Sequence, residues 1–288
     1  MMKLIDGKAI SAQIKDEVKE TIARDGIKAA LAVILVGSDP ASGVYVNNKK
    51  KACEYCGIES LSYELPENTS ESELLELIDK LNRDDRVDGI LCQLPLPAHI
   101  DEEKVIEAIS PDKDVDGFSR ASVGALSIGA DGFVSCTPAG IIELIKRSGI
   151  EIAGKNCVVM GRSNIVGKPM AMLLLRENGT VTVTHSKTKD IKKITSNADI
   201  LVVAIGKPEM VTADYVREGA VVIDVGIHRL DPETNGGRKL CGDVNFDDVA
   251  PHTSYITPVP GGVGPMTIAM LMANTLQAAQ KHKKDYKG

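Results

Sequence analysis

The sequence predicts an α/β protein of two units around a cleft, each with a mainly parallel sheet and helices on its faces. Two observations predict it. Strand-length apolar runs such as "AALAVILVG", "KNCVVMG" and "ADILVVAIG" are continuous rather than alternating, as in strands buried on both faces. Between them lie segments of helical period, the rhythm of βαβ units. At 288 residues and 43% hydrophobic composition, the chain is long enough for two cores of ordinary size.

Taken in order, "GKAISAQIKDEVKETIAR" places Ile10, Ile14, Val18 and Ile22 on one helical face. The strand "AALAVILVG" follows and ends at Gly37, then a helix from about Pro40 to Cys56 and a strand near "ESLSYEL". "SESELLELIDKLN" opens with Ser70 and Glu73 at capping-box spacing, and "VDGILCQL" is the next strand. After "PDKDVDGF", the stretch "SRASVGALSIGADGF" is rich in Ser and Gly and marks the junction of units at 1–120 and 121–288. "TPAGIIELIKRSG" reads as a helix closed by Gly149. Strands "KNCVVMG", "TVTVTH", "ADILVVAIG" and "AVVIDVG" follow, with a helix starting near Val166. A long helix with Pro265 in its first turn ends the chain, and its residues 266–282 are free to pack back on the first unit. The tail "KHKKDYKG" reads as solvated.

Composition narrows the function. A formal net charge of −6 offers no nucleic-acid surface, and with no Trp and three Phe there is no stacking platform for bases. No apolar run approaches membrane-spanning length and the first residues lack a signal-peptide core, so a cytoplasmic protein is expected. Six cysteines without secretory context read as reduced thiols.

In the second half, "VVMGRSNIVGKPMAMLL" puts a glycine at the end of an apolar strand with a helix immediately after. Glycines there admit a pyrophosphate, and the helix N-terminus offers free N–H groups. The spacing from Gly161 to Gly167 departs from G-x-G-x-x-G, so a plain strand–helix turn is the competing reading. The neighbouring strand ends in His185, Ser186 and Lys187, where NAD-binding units carry a carboxylate for the ribose 2′-hydroxyl. Together with Arg162 and Ser163, that end suits a 2′-phosphate and favours NADP over NAD in a Rossmann-like NADP-binding domain, with ordinary polar loop ends as the competing reading.

In the first half, "YVNNKKKACEYCGI" holds three lysines that are not equivalent. With Tyr45 at zero on a helix, Lys49 lies near ~40°, Ala52 near ~−20° and Cys56 near ~20°, while Lys50 and Lys51 point away at roughly 140° and 240°. Lys49 thus shares a stripe with Tyr45 and with small, easily buried residues. A lysine on such a face is either a proton-transfer group or a side chain snorkelling to the surface. Cys53 and Cys56 have no second pair and no nearby His, and they sit late in the helix, so they read as packing residues and no metal site is expected. Gln93 stands at the carboxyl end of a buried strand, where ligands bind in such sheets. Asp114 and Asp116 precede Gly117 in what reads as a turn.

The segments "VGSDPASGVYVNNKKKACEYCGI", "DGILCQLPLP", "PDKDVDGF", "CTPAG", "GRSNIVGKPM", "HSKT", "DVGI", "GDV" and "PVPGGVGPMT", in this order, closely resemble the bifunctional methylenetetrahydrofolate dehydrogenase/methenyltetrahydrofolate cyclohydrolase family. The resemblance implies an enzyme that oxidises 5,10-methylenetetrahydrofolate with NADP and hydrolyses the methenyl product to 10-formyltetrahydrofolate. It implies that Lys49 is the principal catalytic residue, Gln93 its hydrogen-bond partner, Tyr45 a stacking or positioning group for the folate, and Asp116 the acceptor for the pterin N–H groups. Gly161, Arg162, Ser163, Ser186 and Ile227 match cofactor-binding positions. Pro260, Gly261, Gly262 and Thr267 would line the cleft between nicotinamide and folate, although as residues alone they read as a flexible lead-in to the last helix. Cys92, beside Gln93, suggests a thiol-sensitive site. A small-molecule folate substrate, no nucleic acid, no membrane and a homodimer complete the implied picture.

Overall fold

The computed structural model describes residues 2–37, 40–231, 237 and 239–285. Residues 38 and 39 of "VGSDPASG" and residues 286–288 of the solvated tail lie outside the described residues. In chain order the elements are β1 (Lys3–Leu4), α1 (Gly7–Asp25), β2 (Ala30–Val36), α2 (Pro40–Cys56), β3 (Glu59–Leu65), α3 (Glu71–Arg83), β4 (Gly89–Cys92), α4 (Glu102–Ala108) and α5 (Arg120–Ile128). They continue with α6 (Cys136–Arg147), β5 (Asn156–Met160), α7 (Gly167–Arg176), β6 (Thr180–Thr184), α8 (Ile191–Thr195), β7 (Ile200–Val203) and β8 (Ala220–Asp224). β9 (His228–Arg229), β10 (Leu240–Cys241), α9 (Phe246–Val249), β11 (Thr253–Ile256) and α10 (Val263–Asp285) complete the chain.

Two compact units result. One comprises Met1–Ser11 with Thr137–Thr267, the other Ala12–Cys136 with Ile268–Gly288. The second is built on a three-stranded parallel sheet of order β3-β2-β4. Its central strand "ALAVILV" is buried nearly throughout, and alternate side chains serve opposite faces. Leu31 and Val33 pack with Val18 and Ile22 of α1, Cys53 and Cys56 of α2, and Leu271, Met272 and Leu276 of α10. Ala32, Ile34 and Val36 pack with Leu74, Ile78 and Leu81 of α3 and Val105 of α4. Each fully buried aliphatic side chain contributes roughly 1.5–3 kcal/mol.

Helix α3 starts where the spacing predicts. Ser70 accepts from the Glu73 amide and the Glu73 carboxylate accepts from the Ser70 amide at 2.9 Å, a complete capping box. Its other end is closed by buried Lys113, whose Nζ donates to the carbonyls of Leu81 (3.0 Å) and Asp84 (2.8 Å), a cation on the negative end of the helix dipole. The Ser/Gly-rich stretch differs from its reading as a bare junction. It holds α5, capped by the Ser119 side chain on the Ser122 amide and ended by Gly129 in the left-handed region at φ 73°. Buried Ser122 and Leu126 anchor it, so tertiary contacts and caps outweigh weak propensity.

The other unit has six parallel strands in the order β1-β11-β8-β7-β5-β6. The chain runs from β5 outward to β6, then returns past β5 to β7 and onward to β8. The order therefore reverses between β5 and β7, and the carboxyl ends of those strands form a switch-point crevice. Val158, Met160, Leu201, Val203 and Val222 pack against Val211, Tyr215, Val249 and Ile256 as one core. Helix α6 ends before Gly149, which takes φ 73° as a helix-terminating glycine. Among the described residues no helix is long and apolar enough to cross a membrane.

Candidate active site

In the three-stranded unit the candidate residues come from the end of β4, the middle of α2 and the 114–117 turn. The Gln93 amide donates to the Ile34 carbonyl at 2.8 Å, which keeps the residue in register just past β4. Its side-chain Nε2 donates to the Leu94 carbonyl at 2.6 Å, so Oε1 is the atom left to face Lys49, and it accepts from Nζ at 2.9 Å. Lys49 is 8% exposed, while Lys50 and Lys51 are exposed on the same helix. The helical stripe holds Val46, Lys49, Ala52, Cys53 and Cys56 inside, and Tyr45 sits at its rim, 41% exposed. Lys49 does not snorkel to water.

The two aspartates of the turn have separate fates. Asp114 accepts from the amides of Gly117 (3.1 Å), Phe118 (3.2 Å) and Ser119 (2.9 Å) and from Ser122 Oγ (2.7 Å), which consumes its carboxylate in building the turn. Asp116 is half-buried, and no hydrogen bond from a described residue reaches its carboxylate. Burial pushes its carboxyl up to about 6; the Lys49 charge opposes this and Asp114 adds to it. The backbone under Asp116 is fixed by Asn274 of α10, whose Nδ2 donates to the carbonyls of Val115 (2.8 Å) and Val134 (3.1 Å). Cys136 Sγ also donates to the Val115 carbonyl at 3.4 Å. Asn274 carries no sequence signal beyond being a lone amide in the apolar run "MLMANTL".

The cysteines around this site are neutral packing groups. Burial pushes the Cys53 and Cys92 thiols up to about 12 and that of Cys56 up to about 11. The expectation of a thiol-sensitive site at Cys92 is therefore corrected. Its side chain is 7% exposed, and burial together with the charges of Asp116 and Glu102 suppresses the thiolate that would react.

In the six-stranded unit, Gly161 follows β5 at the switch point. Its amide donates to the Thr184 carbonyl at 2.9 Å, and its φ of 120° suits glycine. A Cβ on Gly161 would run into the Ala204 carbonyl oxygen, and one on Gly167 into the Gly161 carbonyl. Close backbone packing thus requires glycine at both positions, in a turn at the N-terminus of α7, the place where such sheets receive a pyrophosphate. Ser163 Oγ accepts from the amides of Val166 (3.2 Å) and Gly167 (3.3 Å), so its hydroxyl proton faces outward as a donor. Arg162 is exposed and makes no ion pair with a described residue. Past β6, the His185 amide donates to Thr188 Oγ1 (2.9 Å) and the Lys187 amide to His185 Nδ1 (3.1 Å). That turn presents Ser186 to solvent with no carboxylate among its four residues. These groups fit a dinucleotide with a phosphorylated ribose.

Ile227 lies between β8 and β9, 49% exposed. Pro260, Gly261 and Gly262 follow β11 in the same unit, and the loop is pinned. The Gly261 carbonyl accepts from Lys8 N at 3.1 Å, and Gly262 N donates to the Pro258 carbonyl at 2.8 Å. Thr267 Oγ1 and Thr137 Oγ1 are hydrogen-bonded at 2.9 Å.

Comparison with known proteins gives the family. Residues 5–116 match the family model "Tetrahydrofolate dehydrogenase/cyclohydrolase, catalytic domain", and residues 135–283 match "Tetrahydrofolate dehydrogenase/cyclohydrolase, NAD(P)-binding domain". The Bifunctional protein FolD of Agathobacter rectalis is 67% identical over 98% of this chain and 100% of its own length. The crystal structure of the bifunctional FolD methylenetetrahydrofolate dehydrogenase/cyclohydrolase from Campylobacter jejuni superposes with TM-score 0.93 at 52% identity, covering 98% of this chain and 99% of that one. The Trypanosoma brucei enzyme, solved with NADP cofactor and inhibitor, superposes with TM-score 0.91 at 41% identity, covering 97% of this chain and 98% of that one. The chain belongs to the tetrahydrofolate dehydrogenase/cyclohydrolase family.

Proposed function

We propose that the chain performs both reactions of its family with the residues described above: oxidation of 5,10-methylenetetrahydrofolate to the 5,10-methenyl compound, then hydrolysis to 10-formyltetrahydrofolate. The observation that carries the reading is the Lys49–Gln93 hydrogen bond at 2.9 Å, electrostatically coupled to an Asp116 carboxylate that no described donor satisfies. NADP+, when bound, supplies the hydride acceptor for the first reaction. Asp116, above its pKa of about 6, accepts from the amino and ring N–H groups of the pterin, a pair of donors that matches a carboxylate. Tyr45, at the rim of the stripe, offers a ring face to the flat substrate. Oxidation leaves a cationic carbon, to which water adds with loss of a proton; ring opening then requires a proton on nitrogen. Lys49, held at Nζ by Gln93 Oε1, moves those protons. Gly161, Arg162, Ser163, Ser186 and Ile227 hold the dinucleotide, and Pro260, Gly261 and Gly262 contribute to substrate binding. A cytoplasmic homodimer, implied by the family resemblance, is part of this proposal; sedimentation at about twice 30.7 kDa tests the dimer.

The deciding experiment is an ultraviolet assay of the purified chain with methylenetetrahydrofolate and NADP+. Methenyl absorbance is expected to rise and then decay. Absence of the rise refutes the dehydrogenase, and a rise without enzyme-dependent decay refutes the cyclohydrolase.

A further inference from the structure

Two carboxylates in the six-stranded unit have no place in the chemistry above, although they lie at the carboxyl edge of its sheet. Asp224 ends β8 and is 4% exposed; Asp243 follows β10 and is 0% exposed. Asp224 Oδ1 accepts from the amides of Gly226 (3.0 Å) and Asp243 (2.9 Å), and its Oδ2 accepts from that of Val244 (3.0 Å). Asp243 Oδ2 accepts from the amides of Ile205 (2.7 Å) and Gly206 (3.0 Å), and its Oδ1 from the Lys207 amide (2.8 Å) and His228 Nε2 (2.8 Å). The loops after β7, after β8 and after β10 are thereby tied to one another through two buried side chains.

Burying two acids in contact is costly, and burial pushes the Asp224 carboxyl up to about 7 despite its three amide donors. The packing also demands glycine at 242, where a Cβ would overlap the Asp224 carboxylate. Such an arrangement is more than these loops need merely to close, because exposed loop amides can be satisfied by water. Its position explains it. The loops after β7 and β8 lie at the carboxyl ends of parallel strands beside the switch point, where ligands of such sheets bind, and the segment after β10 is tied to them. Ile227, half-exposed, is fixed on both sides, by Gly226 N on Asp224 and by His228 on Asp243.

We propose that Asp224 and Asp243 are positioning residues for the dinucleotide, holding the 204–207 and 225–228 loops, with Ile227 between its two anchors, in the geometry that receives it. This rests on the reading of Gly161, Arg162 and Ser186 as the dinucleotide site.

Three full-length variants test it: Asp243→Asn, His228→Asn and, as a control on the underlying reading, Arg162→Ala. Asp243→Asn turns one acceptor into a donor that faces amide N–H groups. KM for NADP+ is expected to rise roughly tenfold while kcat at saturating NADP+ stays within about twofold. His228→Asn removes one of the four donors to Asp243 and serves if Asp243→Asn fails to fold; a rise of about threefold in KM is expected. Hydrolysis of methenyltetrahydrofolate without dinucleotide reports that each variant is folded. A folded variant with unchanged KM overturns the proposal, as does one whose thermal midpoint falls with KM and kcat both preserved. If Arg162→Ala also leaves NADP+ affinity untouched, the dinucleotide reading itself has failed; if Arg162→Ala weakens binding while the other two do not, only the positioning role has.

Discussion

Asp116 is a carboxylate kept half out of water without a hydrogen bond from any described residue, so it works against folding whenever it is charged. The sign follows from linkage. The folded protein holds the Asp116 proton more tightly than the unfolded chain, so stability falls as pH rises from the usual carboxylate range through about 6. Asp116→Asn is therefore expected to raise stability by roughly 1–3 kcal/mol above pH 6 and by little below pH 4, read from urea unfolding at both pH values. The same variant should lose folate affinity, because the amide replaces one of the two acceptor oxygens by an NH2 that faces a substrate N–H. Lys49→Ala should cut methenyl hydrolysis at least about 100-fold while leaving NADP+ binding unchanged, measured by stopped-flow decay and by titration. An Asp116-bearing protein that hydrolysed normally without Lys49 would remove that residue from the mechanism. The helical angle put Lys49 on the inward stripe but left snorkelling open, and its burial was settled only by the packing around it. The resemblance singled out Asp116, but the residues of the turn alone did not, and the physical difference from Asp114 lies in the hydrogen bonds that Asp114 alone receives.

At the scale of elements, the proposed function divides cofactor recognition between the β5–α7 turn and the end of β6. The turn supplies a glycine cradle and the Ser163 hydroxyl, whereas the β6 end is defined by a missing carboxylate and the outward Ser186. kcat/KM should favour NADP+ over NAD+ by roughly 10–100-fold, the worth of charge-assisted bonds to one phosphate. Placing a carboxylate there, as in Ser186→Asp, should reverse the order by repelling the 2′-phosphate and accepting from a ribose hydroxyl. Steady-state kinetics with both cofactors checks this, and an unchanged ratio in the variant would detach Ser186 from cofactor choice. Strands such as β2 and β5 were readable because burial on both faces leaves an uninterrupted apolar run. β1, β9 and β10, at two residues each, carry no period at all and exist only through their partners. Asp224 and Asp243 stood inside the recognisable "DVGI" and "GDV" segments, yet nothing local says that amides from three separate loops converge on them.

For the whole molecule, six cysteines without an exposed thiol make a simple report on folding. All six are buried, and burial raises every thiol for which a direction is known, so native protein should resist iodoacetamide at pH 8 and react fully once unfolded. Stoichiometric labelling of native protein would contradict this burial. The division of the chain into units was harder to read than its elements, because contacts between residues hundreds of positions apart leave no mark in local periodicity. Each unit draws on two separated stretches, and the divisions fall inside α1, α6 and α10.

That discontinuity bears on how the protein is made. During synthesis Lys3 and Leu4 are made some 250 residues before their partners Tyr255 and Ile256. The apolar face of β2 likewise waits for Leu271, Met272 and Leu276 of α10. The α10-facing side of β2 is therefore made long before its cover, and apolar surface of that unit stays exposed on the nascent chain until α10 is synthesised.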